Sequence, residues 1–495
     1  MGFGGNGGGS NAINTASDAA VSNPSDGQVL TWNGTVQKWE NETPAASGSG
    51  VSSVAGKTGA VMLAAADITS GTFSTARLGS GTADASKFLR GDLTWAAPPA
   101  GSGAAYELNV KDYGAVGNGS ADDSAAFQAV MTAAKNATHI YSATGSDPRG
   151  QVTIYIPPGV YLITANEGLM GAEGTSAKAF GLRFVGEGEG ITNLVFQPSS
   201  AGDMCYNAYW MGLRFEHLTL ISKTAGSTFM HSIVSGGAST PQDYLFTDVE
   251  WRGFQYLFYL EGSNNNSEYT FMRCTSTGLE TGGAWLYVPS SVGSSGDQFL
   301  NYWWYSCKFW STSGALIDAA YGGHFHIYGL DASAWGSSLT ANSKLFYLRG
   351  VTHAYGSQSL SVYSLRCEAK SAYGGLLYSQ WPAGNVNFEQ VDWSSQVSNY
   401  TYAELVYIDV QNIDGAIYNF KACRLAGPVT IAYASNAWQH SHRVAFEDCS
   451  WLQQESPTDV VVYSNSGGNA HAKPPVQFIR CRGPKTDAKS SYADV

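Results

Sequence analysis

A short pattern of apolar and polar positions recurs along most of the chain. From Phe215 onward an aromatic or apolar residue is followed by a second apolar residue three positions later, and often by a third after two more. FEHLTL at 215, FTDVEW at 246, FMRCTS at 271, FEQVDW at 388, FKACRL at 420, FEDCSW at 446 and FIRCRG at 478 are clear copies; WYSCKF at 304, IYGLDA at 327 and SLRCEA at 364 are weaker ones. The anchors lie 31, 25, 33, 23, 37, 24, 32, 26 and 32 residues apart. Intervals of about 30 residues are the length of stacked structural repeats, so each copy reads as one coil of a solenoid. The second slot holds Leu218, Val249, Cys274, Cys307, Leu330, Cys367, Val391, Cys423, Cys449 and Cys481, which places six of the seven cysteines in one inward column as small buried hydrophobes. Strand spacing of ~4.8 Å permits bridges between neighbouring coils, but synthesis in a cytoplasm favours free thiols.

Ahead of the repeats, VTIYIPPGVYLI predicts two apolar strands around a Pro157-Pro158-Gly159 turn. Asp122 or Asp123 caps a helix over about 122–136, with Phe127, Val130, Met131 and Ala134 on one face, suited to closing an open sheet end. Gly186 to Gly190 superficially resembles a phosphate loop but lacks a following helix pattern and is read as a turn. Pro98-Pro99 and Gly101-Ser102-Gly103 mark a boundary near residue 105. Residues 1–104 are rich in Gly, Ser, Ala and Thr and too poor in large apolar side chains to bury a core alone. Leu30-Thr31-Trp32 and Leu93-Thr94-Trp95 lie beside turn formers, so short hairpins are expected there.

Composition narrows the function. Among 495 residues 13% are charged, with 58 Gly, 28 Tyr and 14 Trp, which weights the chain toward turns and amphipathic rings suited to sheets and sugar-facing surfaces. A formal charge of −12 without a Lys/Arg cluster argues against nucleic-acid binding. No apolar run approaches the ~20 residues of a membrane span, and the Gly-rich start carries no secretory signal pattern. Seven Cys without a C-x-x-C pair argue against both a disulfide framework and a zinc knuckle.

Two stretches carry a resemblance. SDGQVLTWNGTVQKW, ITSGTFSTARL and GTADASKFLRGDLTWAAP look like the modules that precede the distal domains of phage tail fibres, and the run from Asn109 to Ile163 with FGLRFVGEGEGITNLVF is similar to the opening of the pectate-lyase-like β-helix family of phage tail spikes. The resemblance implies an all-β chain: a right-handed parallel β-helix of about 10–12 coils with one N-terminal capping helix, preceded by an elongated fibre-like module and assembled as a homotrimer. The expected divisions are an attachment segment at 1–45, a shaft module at 46–104, the β-helix at 105–484 and a polar tail at 485–495. It further implies a virion protein made in the host cytoplasm, joined to a phage tail or baseplate protein through its N-terminus, and contacting a bacterial surface glycan.

Side chains alternate along a strand, so the residue after the second slot faces outward. On the spacing above, Asp331, Glu368 and Asp392 stack on three successive coils, roughly 5 Å apart, with Arg424 on the next. Carboxylates ~5 Å or ~6.5–9.5 Å apart suit retaining or inverting glycoside hydrolysis, and the resemblance implies Asp and Glu along a groove that cleaves capsule or lipopolysaccharide. The same carboxylates with Arg424 also suit a lyase assisted by Ca2+; otherwise no cofactor is expected. A solvated polar ladder without chemistry remains open. Trp310, Trp335, Trp381, Tyr373 and Tyr378 offer rings for sugar stacking, as do Trp303 and Tyr305, whereas Trp304 and Trp393 fall at inward slots. His324 and His326 share one side of a strand, near Asp318 and Asp331 in sequence, as an acid/base or metal pair or as plain surface histidines. Three functions stay in view: a glycan-depolymerising tail spike, a non-catalytic adhesive fibre on the same scaffold, and a secreted polysaccharide lyase.

Overall fold

The computed structural model describes residues 17–43 except 24, residues 88, 89 and 93–96, and residues 106–482 outside 138, 143–144, 147–151, 171–177, 208–209, 235–241, 263–265, 293–300, 322, 334, 337–342, 350–357, 370–373, 382–383, 396–403, 411–415, 434–442, 452–460 and 466–475. The Gly-rich start, most of the expected shaft module, Tyr373 and the polar tail lie outside the described residues. The chain divides into two compact units, Met1–Ala100 and Gly101–Val495.

In the first unit, strand Val29–Asn33 pairs antiparallel with Lys38–Glu42, and Trp32 meets Trp39 edge-on at 5.5 Å between ring centroids. Strand Phe88–Leu89 pairs antiparallel with Trp95–Ala96. Both tryptophan tripeptides thus lie at hairpins, as their turn residues predict.

The second unit is a right-handed parallel β-helix. Its strands pair in parallel from coil to coil in two long sheets, and parallel crossovers of this kind are right-handed. Among the described residues, thirteen successive coils are counted from the strands beginning at Tyr106, Val152, Leu182, Arg214, Gln242, Ser267, Tyr302, His324, Ser359, Asn385, Ile417, Arg443 and Val476, slightly more than the repeats alone suggest.

One backbone feature explains the spacing of the motif. In a flat strand residues i and i+2 share a face, so two inward residues three apart require an inserted kink. His217, Asp248, Arg273, Ser306, Gly329, Ser364, Gln390, Ala422, Asp448 and Arg480 supply it: each occupies the position before the second slot, and each has a left-handed φ between 51° and 73°. The kink turns the chain of these ten coils through a corner within the larger sheet, giving two faces, and the ten described strands of the smaller sheet, from Asp203–Asn207 to Val461–Asn465, form a third.

The first slot packs the lumen with stacked rings. Phe184, Phe215, Phe246 and Phe271 follow one another at 4.6, 5.3 and 5.3 Å, and Phe388, Phe420, Phe446 and Phe478 at 5.2, 4.7 and 5.2 Å. Burying each ring contributes roughly 1.5–3 kcal/mol, and offset stacking adds to this. Trp304 and Trp393 are fully buried, as their slots predict.

The register corrects the spacing argument at one coil. Val362 pairs with Ile327 on one side and Phe388 on the other, and Leu365 with Leu330 and Val391, so the anchor of that coil is Val362 and its second slot is Leu365. Cys367 sits two residues further on, beside Ala332 and Trp393. Five cysteines, not six, therefore share the second slot; Cys367 is buried in the third.

The capping helix spans Ser124–Ala137 and buries Phe127, Val130, Met131 and Ala134 as expected. Asp122 Oδ1 accepts from the Ser124 backbone N–H at 3.0 Å, whereas Asp123 turns back to accept from Val116 N–H at 2.6 Å and braces the preceding turn. Phe127 meets Tyr161 edge-on at 5.9 Å and fixes the helix over the first coils. No helix among the described residues is long and apolar enough to cross a membrane.

Candidate functional site

The smaller sheet forms the third face, and its strands repeat a signature of their own. Leu257-Phe258-Tyr259, Trp285-Leu286-Tyr287, Leu316-Ile317-Asp318, Leu345-Phe346-Tyr347, Leu376-Leu377-Tyr378 and Leu405-Val406-Tyr407 each place two buried apolar residues before a partly exposed polar one. Parallel register brings the third residues into one column: Tyr206, His231, Tyr259, Tyr287, Asp318, Tyr347, Tyr378 and Tyr407. The rings lean on their neighbours, Tyr259 on Tyr287 at 5.1 Å, Tyr347 on Tyr378 at 5.9 Å, and Tyr378 on Tyr407 at 5.2 Å and 3° between planes. Ring faces are largely used up by this stacking, so the column offers ring edges and a row of phenol groups spaced by the coil rise of ~4.8 Å.

At Asp318 the column opens into a cleft of about 350 Å³, lined in part by Gly283, Ser313, Gly314, Asp318, Lys344, Tyr347, Arg349 and Tyr378. A Cβ on Gly283 would lie 2.0 Å from the Gln255 carbonyl oxygen, and Gly314 has φ +86°, so both walls require glycine. Asp318 forms an ion pair with Arg349. Burial pushes the Asp318 carboxyl above its ordinary range, and the Arg349 guanidinium only partly offsets that rise. Lys344 lies flat across Gly375, where a Cβ would come within 2.5 Å of its Cδ, and reaches the next coil but one: Nζ donates to the Glu404 carbonyl oxygen at 2.5 Å and stands 3.7 Å from its carboxylate. Its side chain is 1% exposed, and burial lowers its pKa against the pull of Glu404. Burial also pushes Tyr378 up to about 12 and raises Tyr347, whose hydroxyl accepts from the Lys344 backbone N–H at 3.0 Å. These phenols therefore act as neutral donors and acceptors at ordinary pH.

Further along the column His231 bridges two carboxylates, Nδ1 to Asp203 at 2.8 Å and Nε2 to Glu261 at 2.9 Å. Burial disfavours the imidazolium, but the two carboxylates outweigh it and the pKa is raised.

The acidic trio expected from spacing is not assembled. Asp331 pairs with Arg366, Arg366 with Asp392 and Asp392 with Arg424, while Glu368 lies two residues beyond Arg366, level with Ser394. The outward column is thus alternately acidic and basic. Arg424 Nη1 stands 3.6 Å from Asp392, and Arg366 pairs with Glu368. Burial raises the Asp331 carboxyl, but hydrogen bonds from Ser333 and Trp310 and the charge of Arg366 together outweigh it and hold the group below its ordinary value. Trp335 and Trp381 are 0% and 1% exposed and belong to the lumen, which removes them as sugar platforms. Trp310 is 37% exposed with Lys308 Nζ 4.9 Å over its ring. Tyr378 lies in the cleft.

His324 and His326 share one side of their strand, where His324 Nδ1 meets Ser359 Oγ at 2.8 Å and His326 stacks on Trp303 at 6.1 Å; burial lowers both pKa values. Tyr305, Tyr328 and Tyr363 form a second ladder on the first face, at 5.2 and 5.3 Å. Among the described residues no group of three or more His, Cys, Asp or Glu is arranged to hold a metal ion.

Tyr347, Tyr407, Lys344 and Arg349 are absent from the candidates that spacing supplied. The signal was the two-apolar-then-tyrosine signature at 257, 285, 345, 376 and 405, which recurs in step with the motif used to find the coils.

Residues 108–233 match the family described as "Rhamnogalacturonase A/epimerase, pectate lyase-like". No curated protein matches the chain in sequence. Among solved structures, the chain is similar to the A-module of the mannuronan C-5 epimerase AlgE4 of Azotobacter vinelandii, at 14% identity over 76% of this chain and 96% of that one, with a TM-score of 0.38. It is also similar to the ORF18 protein of Geobacillus virus E2, at 14% identity over 75% and 62% with a TM-score of 0.33. The catalytic unit of a GH87 α-1,3-glucanase from Streptomyces thermodiastaticus strain HF3-3 matches at 12% identity over 77% and 70%, with a TM-score of 0.32.

Proposed function

We propose that the chain binds a polysaccharide along the third face of its β-helix. The observation that carries this reading is the outward column of Tyr287, Asp318, Tyr347, Tyr378 and Tyr407, which opens into a cleft at the Asp318–Arg349 pair. Phenols, a carboxylate and a guanidinium placed one coil rise apart suit the repeated hydroxyls of a glycan laid along the axis. The pectate-lyase-like match over 108–233 supports a carbohydrate ligand. The resemblance of the N-terminal modules to those of phage tail fibres supports a finer reading: a homotrimeric virion fibre or spike, attached through its N-terminus, that adsorbs to bacterial surface polysaccharide.

Binding is favoured over cutting because each carboxylate of the column at Asp331 and Asp392 is flanked by an arginine, and Asp318 is the one carboxyl lining the described cleft. The raised pKa of Asp318 supports depolymerisation as a second reading, since a partly buried carboxyl is suited to act as an acid.

Fluorescently labelled full-length protein, applied to a panel of bacterial strains and to the same cells stripped of surface polysaccharide, tests the reading. Binding is expected on some intact strains, with loss on stripped cells and on replacing Tyr378 and Tyr407 together by Ala. Equal binding to stripped cells, or full binding by the double variant, contradicts it. Shortened oligosaccharides in the supernatant, abolished by Asp318→Asn, establish the second reading instead.

A further inference from the structure

The cations lining the cleft are committed within the protein. Arg349 faces Asp318, whose side chain is 17% exposed, and also bonds to Tyr287. Lys344 is 1% exposed and bound to Glu404. Further along, His231 stands between Asp203 and Glu261, one imidazole against two carboxylates. The described charges along this face therefore sum to a negative value, on a chain whose formal charge is −12.

A carboxylate- or phosphate-bearing polysaccharide that takes the remaining donors of Arg349, whose side chain is 40% exposed, is set beside the Asp318 carboxylate on a face whose described charges are already negative, and like charges that close repel. Sugar hydroxyls meet no such obstacle. They donate to Asp318 and accept from the phenols of Tyr347 and Tyr378 and from the guanidinium, leaving the pair intact. We infer that the ligand of the third face is an uncharged polysaccharide, held by hydrogen bonds to the phenols and to the intact Asp318–Arg349 pair. The inference rests on the glycan-binding reading and adds the chemical class of the glycan.

Native-gel affinity electrophoresis of the full chain separates the two claims. The gels contain either an uncharged polysaccharide, drawn from dextran, mannan and neutral O-antigen preparations, or an acidic one, drawn from alginate, polygalacturonate and acidic capsule preparations; solution affinities follow for whatever is bound. Retardation is expected with at least one uncharged polysaccharide, with affinity changing less than about twofold between ~20 mM and ~0.5 M NaCl. Replacing Tyr347 and Tyr378 together by Phe keeps the rings and removes two hydroxyls, and is expected to weaken binding about tenfold, with the melting point lowered only by loss of the Lys344 N–H bond to Tyr347 and the fold retained. Asp318→Asn, which releases Arg349, is expected to weaken neutral binding and to bring measurable, salt-sensitive binding of an acidic polysaccharide. Retardation by acidic polysaccharides alone, weakened tenfold or more by salt in the unmodified protein, overturns the inference and leaves the glycan-binding reading standing. Retardation by neither set removes that reading and the inference with it. If Asp318→Asn does not fold, the tyrosine pair and the salt series still decide.

Discussion

Reversing the charge of Arg366 tests the register that separates the structure from the spacing of the sequence. Arg366 pairs across the ladder with Asp331 on one side and Asp392 on the other, and carries an ion pair with Glu368 two residues along its own strand. Neighbouring coils lie ~4.8 Å apart. At that distance two unit charges interact by roughly 0.8 kcal/mol in a water-like dielectric and by about 3 kcal/mol near a protein surface. Side-chain exposures of 61% for Arg366 and 47% for Asp392 place the site near the water-like limit. Arg366→Glu turns each attraction into a repulsion, so the loss is about 2 kcal/mol after side chains relax. Urea unfolding followed by tryptophan fluorescence is expected to show that loss at ~20 mM NaCl and less than half of it at ~0.5 M. Glu368→Gln supplies the discriminating control. If Glu368 stood between Asp331 and Asp392, neutralising it would relieve repulsion and stabilise the protein; with Arg366 there, it removes a largely buried partner, 18% exposed, from an exposed arginine and lowers stability by about 1 kcal/mol. A stabilising Glu368→Gln, or an Arg366→Glu variant as stable as the parent at low salt, refutes the register.

Three further outcomes follow from the packing. The raised pKa of His231 means that its carboxylate contacts stabilise the fold below the ordinary pKa of 6.5 and cease to do so as pH rises through the higher folded-state value, so a melting-point advantage over His231→Gln should be largest near pH 6 and fade under alkaline conditions; a gap that grows with pH contradicts the assignment. Buried Asn266 accepts from Ser232 Oγ at 2.6 Å and donates to the carbonyls of Ser232 and Glu261 at 3.2 and 2.9 Å, so Asn266→Leu strands these groups and should cost about 3 kcal/mol in urea unfolding; a neutral result would place the side chain elsewhere. Ala422 holds φ 51° at the corner of its coil, so Ala422→Gly should stabilise by about 0.5–1 kcal/mol and Ala422→Val should destabilise by at least as much, and the reverse order excludes a left-handed corner there.

The coils were readable because the corner writes itself into the sequence. A left-handed residue in the same place on each coil converts the two-residue period of a strand into the three-residue step of Phe215 to Leu218 or Phe446 to Cys449. The capping helix was equally plain, since Phe127, Val130, Met131 and Ala134 had no other face to share. Register failed at one coil because Cys367 mimics the column cysteines, whereas Val362-Tyr363-Ser364-Leu365 repeats the Ile327-Tyr328-Gly329-Leu330 pattern of the coil before it. That slip of two residues put Glu368 where Arg366 stands and created an acidic trio that does not exist.

The tryptophans misled for a related reason. Side-chain direction at Trp335 and Trp381 is set by turns outside the periodic strands, and both turn inward. The third face was hidden because Leu345-Phe346-Tyr347 and its relatives read as uninterrupted apolar runs, in which tyrosine gives no sign of which way it points. Only the coil-to-coil register shows that these tyrosines form one outward line with Asp318 in its midst.

Hydroxyl-radical footprinting of the full chain, with and without a polysaccharide it binds, puts the stacked third face to the most direct test. Protection is expected at Tyr287, Tyr347, Tyr378 and Tyr407, in peptides separated by a full coil of sequence, while Tyr305, Tyr328 and Trp310 stay as reactive as in the free protein. Protection centred on Tyr305 and Tyr328, or confined to one continuous stretch of sequence, would contradict it.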